Sequence, residues 1–270
     1  MTILIVLLGL LLSHLLQPLA RWRNFGWFTT ILHRVRRRAG GRPWLPAAAV
    51  VVIALAFSFG ATALAVALLG AVGWFLLALL AFIYTLGPRD LDRDVQSLLV
   101  GGSDPRHLKA RRLMRIQRAA GPAEAAAGVF HAAQARWFGI LFWFVVLGIA
   151  GALLYRLSRL SLHLPGLSPA QSAWLLRLRT VLDWPVLALM LVSAGLGGDL
   201  DRVRQAWRAH TGDRSVWSIR EGILDDVARC TVDPAGSFAD GVTSGHHMVW
   251  RMLLIWLVVL SLLLLAGWLS

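Results

Sequence analysis

Arg136 to Arg159 reads RWFGILFWFVVLGIAGALLYRLSR, and the uncharged stretch inside it, Trp137 to Tyr155, decides the fold class. Its 19 residues make a helix of roughly 28 Å at about 1.5 Å per residue, close to the roughly 30 Å hydrocarbon core of a bilayer. Upstream, Gly121-Pro122-Ala123-Glu124 has the form of a helix start: Pro stands at the first helical position and an acid in the first turn, where the helix dipole favours it. No strong breaker follows Pro122, so one unbroken helix is expected from Pro122 to Tyr155, beginning in water and ending as a span.

Composition agrees. Hydrophobic residues make up 57% of the chain and charged ones 15%, outside the usual range of a soluble domain. The net charge of +13 would suggest nucleic acid in a soluble protein, but 26 of the 27 Lys and Arg lie outside the apolar runs. That pattern is positive-inside topology, and no nucleic-acid partner is expected. Cys230 is the only cysteine, which excludes an intramolecular disulfide and a thiolate metal cluster.

The apolar runs predict an all-α, polytopic membrane protein with four to six transmembrane helices and additional cytoplasmic helices. The spans are read at about 2–20, 45–64, 67–87, 137–155, 182–198 and 248–269. The first is followed by arginines rather than preceded by them, the reverse of a cleaved signal peptide; Gln17 and Pro18 also allow a short interfacial helix. Pro43 to Pro88 contains no charge and is long enough for two spans, with the turn placed near Ser58 to Thr62. Trp44 and Tyr84 suit the membrane edges, and small residues such as Ala61, Ala65, Gly70 and Ala71 suit close helix packing. Arg251, near one end of the last span, is placed to snorkel.

Two polar segments, 88–136 and 199–247, are read as cytoplasmic helices that fold against one another. Asp90, Asp92 and Asp94 do not make a calcium loop, since Val95 and Gly101 stand where Gly and Glu are needed. Asp104-Pro105 reads as a helix cap and first residue, and Ser168-Pro169-Ala170-Gln171 as a capping box opening an interfacial helix towards Leu182. Arg111, Arg112, Arg115 and Arg118 suit anionic lipid headgroups. Seven basic residues fall in 21–42, nine in 89–136 and six in 202–229. Six spans would place these together, leaving only the four of 156–179 opposite, with both termini outside.

Signals of chemistry are few. Gly241-Val242-Thr243-Ser244-Gly245 lacks the Lys of a phosphate loop and the Ser position of a nucleophile elbow. His246-His247 with Cys230 and Asp233 is a poor ligand set, because adjacent histidines face different sides of a helix. No metal or cofactor is expected. No acid or Lys stands near a span's midplane, which argues against an ion-coupled transporter. Asp183-Trp184-Pro185, at the lip of the fifth span, forms either a helix cap or a site.

Three stretches in order and spacing carry a resemblance: Leu91 to Arg112; Leu141-Phe142-Trp143 followed by Gly148 to Tyr155; and Leu182-Asp183-Trp184-Pro185 followed by a Gly-rich exit and Ala206-Trp207. The chain resembles the AmpE family, inner-membrane proteins associated with β-lactamase regulation and distantly related to the CobD/CbiB membrane proteins of cobalamin biosynthesis. The resemblance implies a multi-pass protein of the inner membrane, a non-catalytic sensor or signalling modulator linked to antibiotic response and cell-wall recycling. A protein partner or a cell-wall fragment would be its ligand, and the bilayer its setting. The cobalamin branch carries an acid-rich stretch where this chain has Val129 to Gln134, and Pro185 stands one place early in the family's Asp-Trp-x-Pro-x-Arg pattern, with Leu187 or Ala188 where the Arg is expected. A membrane amide-forming enzyme is the alternative, and it would gather Asp183, His131 and Gln134 in one pocket; a transporter of a peptidoglycan fragment is the other. Asp183, Trp184, Pro185, His131 and Gln134 are therefore the candidate functional residues.

Overall fold

The structure is a computed structural model that describes residues 2–15, 25–38, 42–86, 91–100, 104–211 and 222–266. Every regular element among them is helical, giving an all-α polytopic membrane protein with four helices long and apolar enough to cross a bilayer. The chain divides into two compact units, residues 1–88 with 139–182 and residues 89–138 with 183–269.

The first unit contains α1 (Thr2–Leu15), α2 (Gly26–Arg38), α3 (Leu45–Thr85), α7 (Gly139–Ser161) and the start of α8 (Pro169–Gly197). The expected first span lies partly outside the described residues; α1 itself, at 14 residues, is only about 21 Å long. An amphipathic helix that the sequence reading left out, α2, buries Phe28 and Leu32 and ends in Arg36, Arg37 and Arg38.

Both long apolar helices of this unit fold back on themselves. In α3 the chain reverses at Gly70, where φ is 59° and ψ −138°, so the turn expected at Ser58 to Thr62 lies 8 residues further on, past helix that runs straight through those positions. Trp27 shows that the arms are antiparallel: its ring stacks on Phe57 at 5.5 Å and its Nε1 donates to the Tyr84 hydroxyl at 3.3 Å. Those partners stand 13 residues before and 14 after Gly70. In α7 the reversal is at Gly148, with φ 62° and ψ −143°, and Gly139 abuts the Tyr155 ring of the returning arm. The expected single span over 137–155 is thus two antiparallel arms.

The reason is local and identical in both places. Leu69-Gly70-Ala71-Val72-Gly73 and Leu147-Gly148-Ile149-Ala150-Gly151 share the pattern L-G-x-x-G. Its first glycine takes a backbone conformation that side chains disfavour. Its second lets the arms touch: a Cβ on Gly73 would lie 2.1 Å from the Ala65 carbonyl oxygen, and one on Gly151 2.1 Å from that of Trp143. The two hairpins pack together, with Phe82 and Phe144 4.8 Å apart.

Helix α8 also departs from expectation. Ser168 and Gln171 do form the capping box, exchanging bonds of 3.2 Å. The helix then runs to Gly197 with Pro185 inside it, so Asp183-Trp184-Pro185 is not a helix entrance and Asp183 is not an N-cap. Proline here removes the partner of the Val181 carbonyl, and the neighbouring Leu182 carbonyl accepts from Trp143 Nε1 at 2.9 Å.

The second unit holds α4 (Leu91–Val100), α5 (Pro105–Leu113), α6 (Pro122–Ala133), a π-helical turn (Gln134–Phe138), the rest of α8, α9 (Leu200–Thr211), α10 (Ile223–Thr231) and α11 (Phe238–Leu265). As expected, the two polar segments fold together, with α6 packed on both α10 and α11. Gly241 and Gly245 permit this: a Cβ on Gly241 would sit 2.1 Å from the Pro122 carbonyl oxygen. The five residues rejected as a phosphate loop are a small-xxx-small packing face. Arg251 donates to the Gly197 carbonyl at 3.2 Å, covering the negative end of α8.

Candidate functional site

A cleft of about 740 Å³ in the second unit is walled by the Met114–Gln117 turn, the first turns of α6 and one side of α10. Its volume is in the range of small-molecule sites.

The first wall is the end of α5. Ile116 N–H bonds to the Arg111 carbonyl at 2.9 Å and Arg115 N–H to that of Arg112 at 3.2 Å, the paired bonds of a Schellman stop. The residue placed in the left-handed conformation is Arg115, with φ 58°, where glycine is the usual choice. Among the described residues no other non-glycine has a positive φ, and such outliers concentrate at functional sites. Ile116 then packs on Gly128 of α6, whose Cβ would lie 2.4 Å from Ile116 Cγ1.

The second wall presents Glu124 and, two turns on, His131. The third presents Asp225 and Arg229 from α10. His131 Nε2 and Asp225 Oδ1 are 2.9 Å apart, joining α6 to α10, with side chains 28% and 46% exposed. That hydrogen bond is the main reason the Asp225 carboxyl is held below its ordinary value; burial opposes it, and His131, Arg229 and His210 add attraction. The adjacent Asp226 takes His210 of α9 at 2.9 Å and Arg229 at 2.9 Å. The acids opening α10 are thus held by two histidines from two other helices.

A His–Asp pair open to water can pass a proton, but no Ser, Thr, Cys, Lys or Tyr lines the cleft among the described residues. Nor do three of His, Cys, Asp and Glu gather anywhere among them to hold a metal. The arrangement has the equipment of a binding site: mixed charge, water access and a strained turn.

Of the residues read from sequence, only His131 lines this cleft. Gln134 is fully buried at the start of the π turn, and Asp183 is 3% exposed inside α8. Trp184 and Pro185 follow it in the same helix, and neither lines the cleft. The π turn also carries Arg136, whose Nη1 meets Asp94 Oδ2 of α4 at 2.7 Å, the pair 8% and 0% exposed. Nearby on α4, Asp92 accepts from His246 at 2.6 Å and from Trp250 Nε1 at 3.3 Å. Of the three acids weighed for calcium, Asp92 is thus committed to α11 and Asp94 to the π turn, and Asp90 lies outside the described residues. Sequence reasoning missed Arg115, Glu124 and Asp225 as site residues; the acidic first turn of α10 was the one available signal.

No protein-family model matches the chain, and neither a curated protein nor a solved structure matches it.

Proposed function

We propose that this chain is a non-catalytic signalling modulator of the inner membrane, of the AmpE kind, linked to β-lactamase induction and cell-wall recycling. Its two polar segments, 88–136 and 199–247, face the cytoplasm and read a partner protein or cell-wall fragment in the cleft beside His131. The observation that supports this is continuity. The helix forming the second wall of the cleft passes through the π turn at 134–138 into the first arm of α7 without leaving helical conformation, and the chain enters the other unit between Phe138 and Gly139. The transmitter is therefore shorter than the helix expected to Tyr155: it ends at the reversal at Gly148. π turns inside helices are frequent at functional sites, and here the turn is held by the Asp94–Arg136 pair.

The amide-forming alternative required Asp183, His131 and Gln134 around one pocket, and the cleft contains His131 alone of the three. The test is β-lactamase activity with and without a β-lactam inducer in the parent strain, a strain lacking this gene, and that strain carrying either the wild-type gene or the His131→Ala form. Altered induction that the wild type restores and His131→Ala does not would uphold the reading. Unaltered induction in a strain with a working inducible enzyme would end it.

A further inference from the structure

The two hairpins of the first unit carry an inference that does not depend on the signalling reading. A hairpin that crosses a bilayer emerges at the far surface and needs turn residues that tolerate water and headgroups. Here the tips are wholly apolar. Leu68, Leu69 and Val72 around Gly70 are 71%, 61% and 63% exposed, and Val146 and Leu147 beside Gly148 are 53% and 51% exposed. Between the Gly148 tip and the two arms of α3 lies a cavity of about 280 Å³ walled by Phe59, Trp74, Phe144 and Leu147, and the Ser58 hydroxyl at its edge is turned inward to the Ala54 carbonyl at 2.7 Å.

Polar groups gather at the other end. Trp27, bonded to Tyr84, sits about 20 Å from the Gly70 tip along either arm at about 1.5 Å per residue. Arg159, which donates to the Tyr155 hydroxyl, stands about 16 Å below the Gly148 tip by the same rise. Arg156, over the Phe25 ring, is about 12 Å below it. Trp, Tyr and Arg in this relation are what anchors a protein at headgroup level. From the headgroups to the midplane is roughly 20–22 Å, the distance from this belt to the Gly70 tip; the Gly148 tip, roughly 12–16 Å above its arginines, ends short of the midplane but within the hydrocarbon. Placing the tips at the far surface would instead bring Arg156 near the centre of the bilayer, where an arginine is least tolerated. Beyond the belt, Arg36 donates to the carbonyls of Pro165 and Gly166, so the end of α2 and the α7–α8 turn share one side. The six-span arrangement would separate them.

We propose that the surface formed by the Gly70 and Gly148 tips is a lipid-contact surface for the acyl chains of one leaflet: both hairpins enter the bilayer from the side bearing the arginines and end within the hydrocarbon. The L-G-x-x-G turn suits this place because one residue reverses the helix and every side chain around it, from Leu68 to Val72 and from Val146 to Ala150, is apolar or absent.

The test uses the full chain with Cys230→Ser and single cysteines at the tips (L69C, L147C) and the base (R38C, H163C), in vesicles of phosphatidylethanolamine and phosphatidylglycerol. Nitroxide labels at the tips should report about 15–20 Å greater depth than those at the base, and a membrane-impermeant maleimide should modify both base sites from the same side and neither tip from either side. Val72→Cys and Val146→Cys repeat the measurement should a first tip variant fail to fold. Tip labelling from the side opposite the base, tips no deeper than the base as in a contact with a second copy, or Arg38 and His163 positions reacting from opposite sides would each overturn the proposal.

Discussion

Replacing Gly151 by alanine tests whether the L-G-x-x-G pattern is a packing device or merely a helix interruption. The added methyl would lie 2.1 Å from the Trp143 carbonyl oxygen and 2.8 Å from Leu147 Cβ. Close carbon–oxygen contacts settle near 3.3–3.6 Å, so the arms of α7 must part by more than about 1 Å. The obstacle is backbone, which cannot swing aside, and overpacking of this kind costs about 1–3 kcal/mol. Gly148→Ala meets nothing within 4 Å but must keep φ at 62°, a conformational cost of about 1–3 kcal/mol. Gly60→Ala, in the first arm of α3, meets nothing within 4 Å and has no unusual φ, so it should stabilise by about 0.5–1 kcal/mol as glycine's chain entropy is removed. Reversible unfolding in mixed micelles, followed by circular dichroism against the mole fraction of dodecyl sulfate, separates the three. If Gly151→Ala behaves like Gly60→Ala, the arms are not in contact and the hairpin account of α7 fails. Gly73→Ala, 2.1 Å from the Ala65 carbonyl oxygen, should repeat the result in α3.

Three further outcomes follow from the second unit and from α8. Arg136→Met leaves the fully buried Asp94 carboxylate without its 2.7 Å partner and should cost about 3–5 kcal/mol, whereas Arg136→Met combined with Asp94→Leu should recover most of the loss; a double-mutant cycle on unfolding checks both. Asp225 is held below its ordinary value of 3.8, so its contribution to stability is complete above that value and disappears as pH falls through the lower folded-state value. The stability advantage of wild type over Asp225→Asn should shrink as pH falls below 3.8, and an Asp225 carboxyl titration by carbon-13 NMR at or above 3.8 would contradict the His131 bond. Ser168→Ala removes half of the capping box and should cost about 1 kcal/mol, seen as faster amide exchange in the first turn of α8.

What was legible from sequence was whatever depends on near neighbours. The capping box at Ser168 and the Asp104 cap, whose carboxylate accepts from Arg106 N–H at 2.7 Å, are short patterns with one geometric meaning. The apolar runs gave the all-α membrane class for the same reason. The reversals were harder because apolarity is the property of a span and of a hairpin alike. The turn expected near Ser58 to Thr62 falls at Gly70 instead, where the chain uses two glycines three apart, one for the reversal and one for the close approach. At Gly148 the same pattern sat inside a run of ideal spanning length and was absorbed into it. Pro185 misled in the opposite sense: proline reads as a boundary, yet a long helix in apolar surroundings tolerates it when nearby carbonyls find other donors.

The cleft was the least legible feature, and its composition explains why. Arg115 occupies a position where sequence points to glycine or asparagine, so nothing marks it before the α5 stop is seen. His131 and Asp225 lie 94 residues apart, on α6 and α10, which pack directly on one another, while Gly241 and Gly245 let α11 close on α6 as well. The site is thus a product of helix packing rather than of any catalytic motif. Substituting those glycines should disturb the His131–Asp225 bond and the cleft before it disturbs the helices themselves, which ties the binding reading to the same close-approach logic that shapes the hairpins.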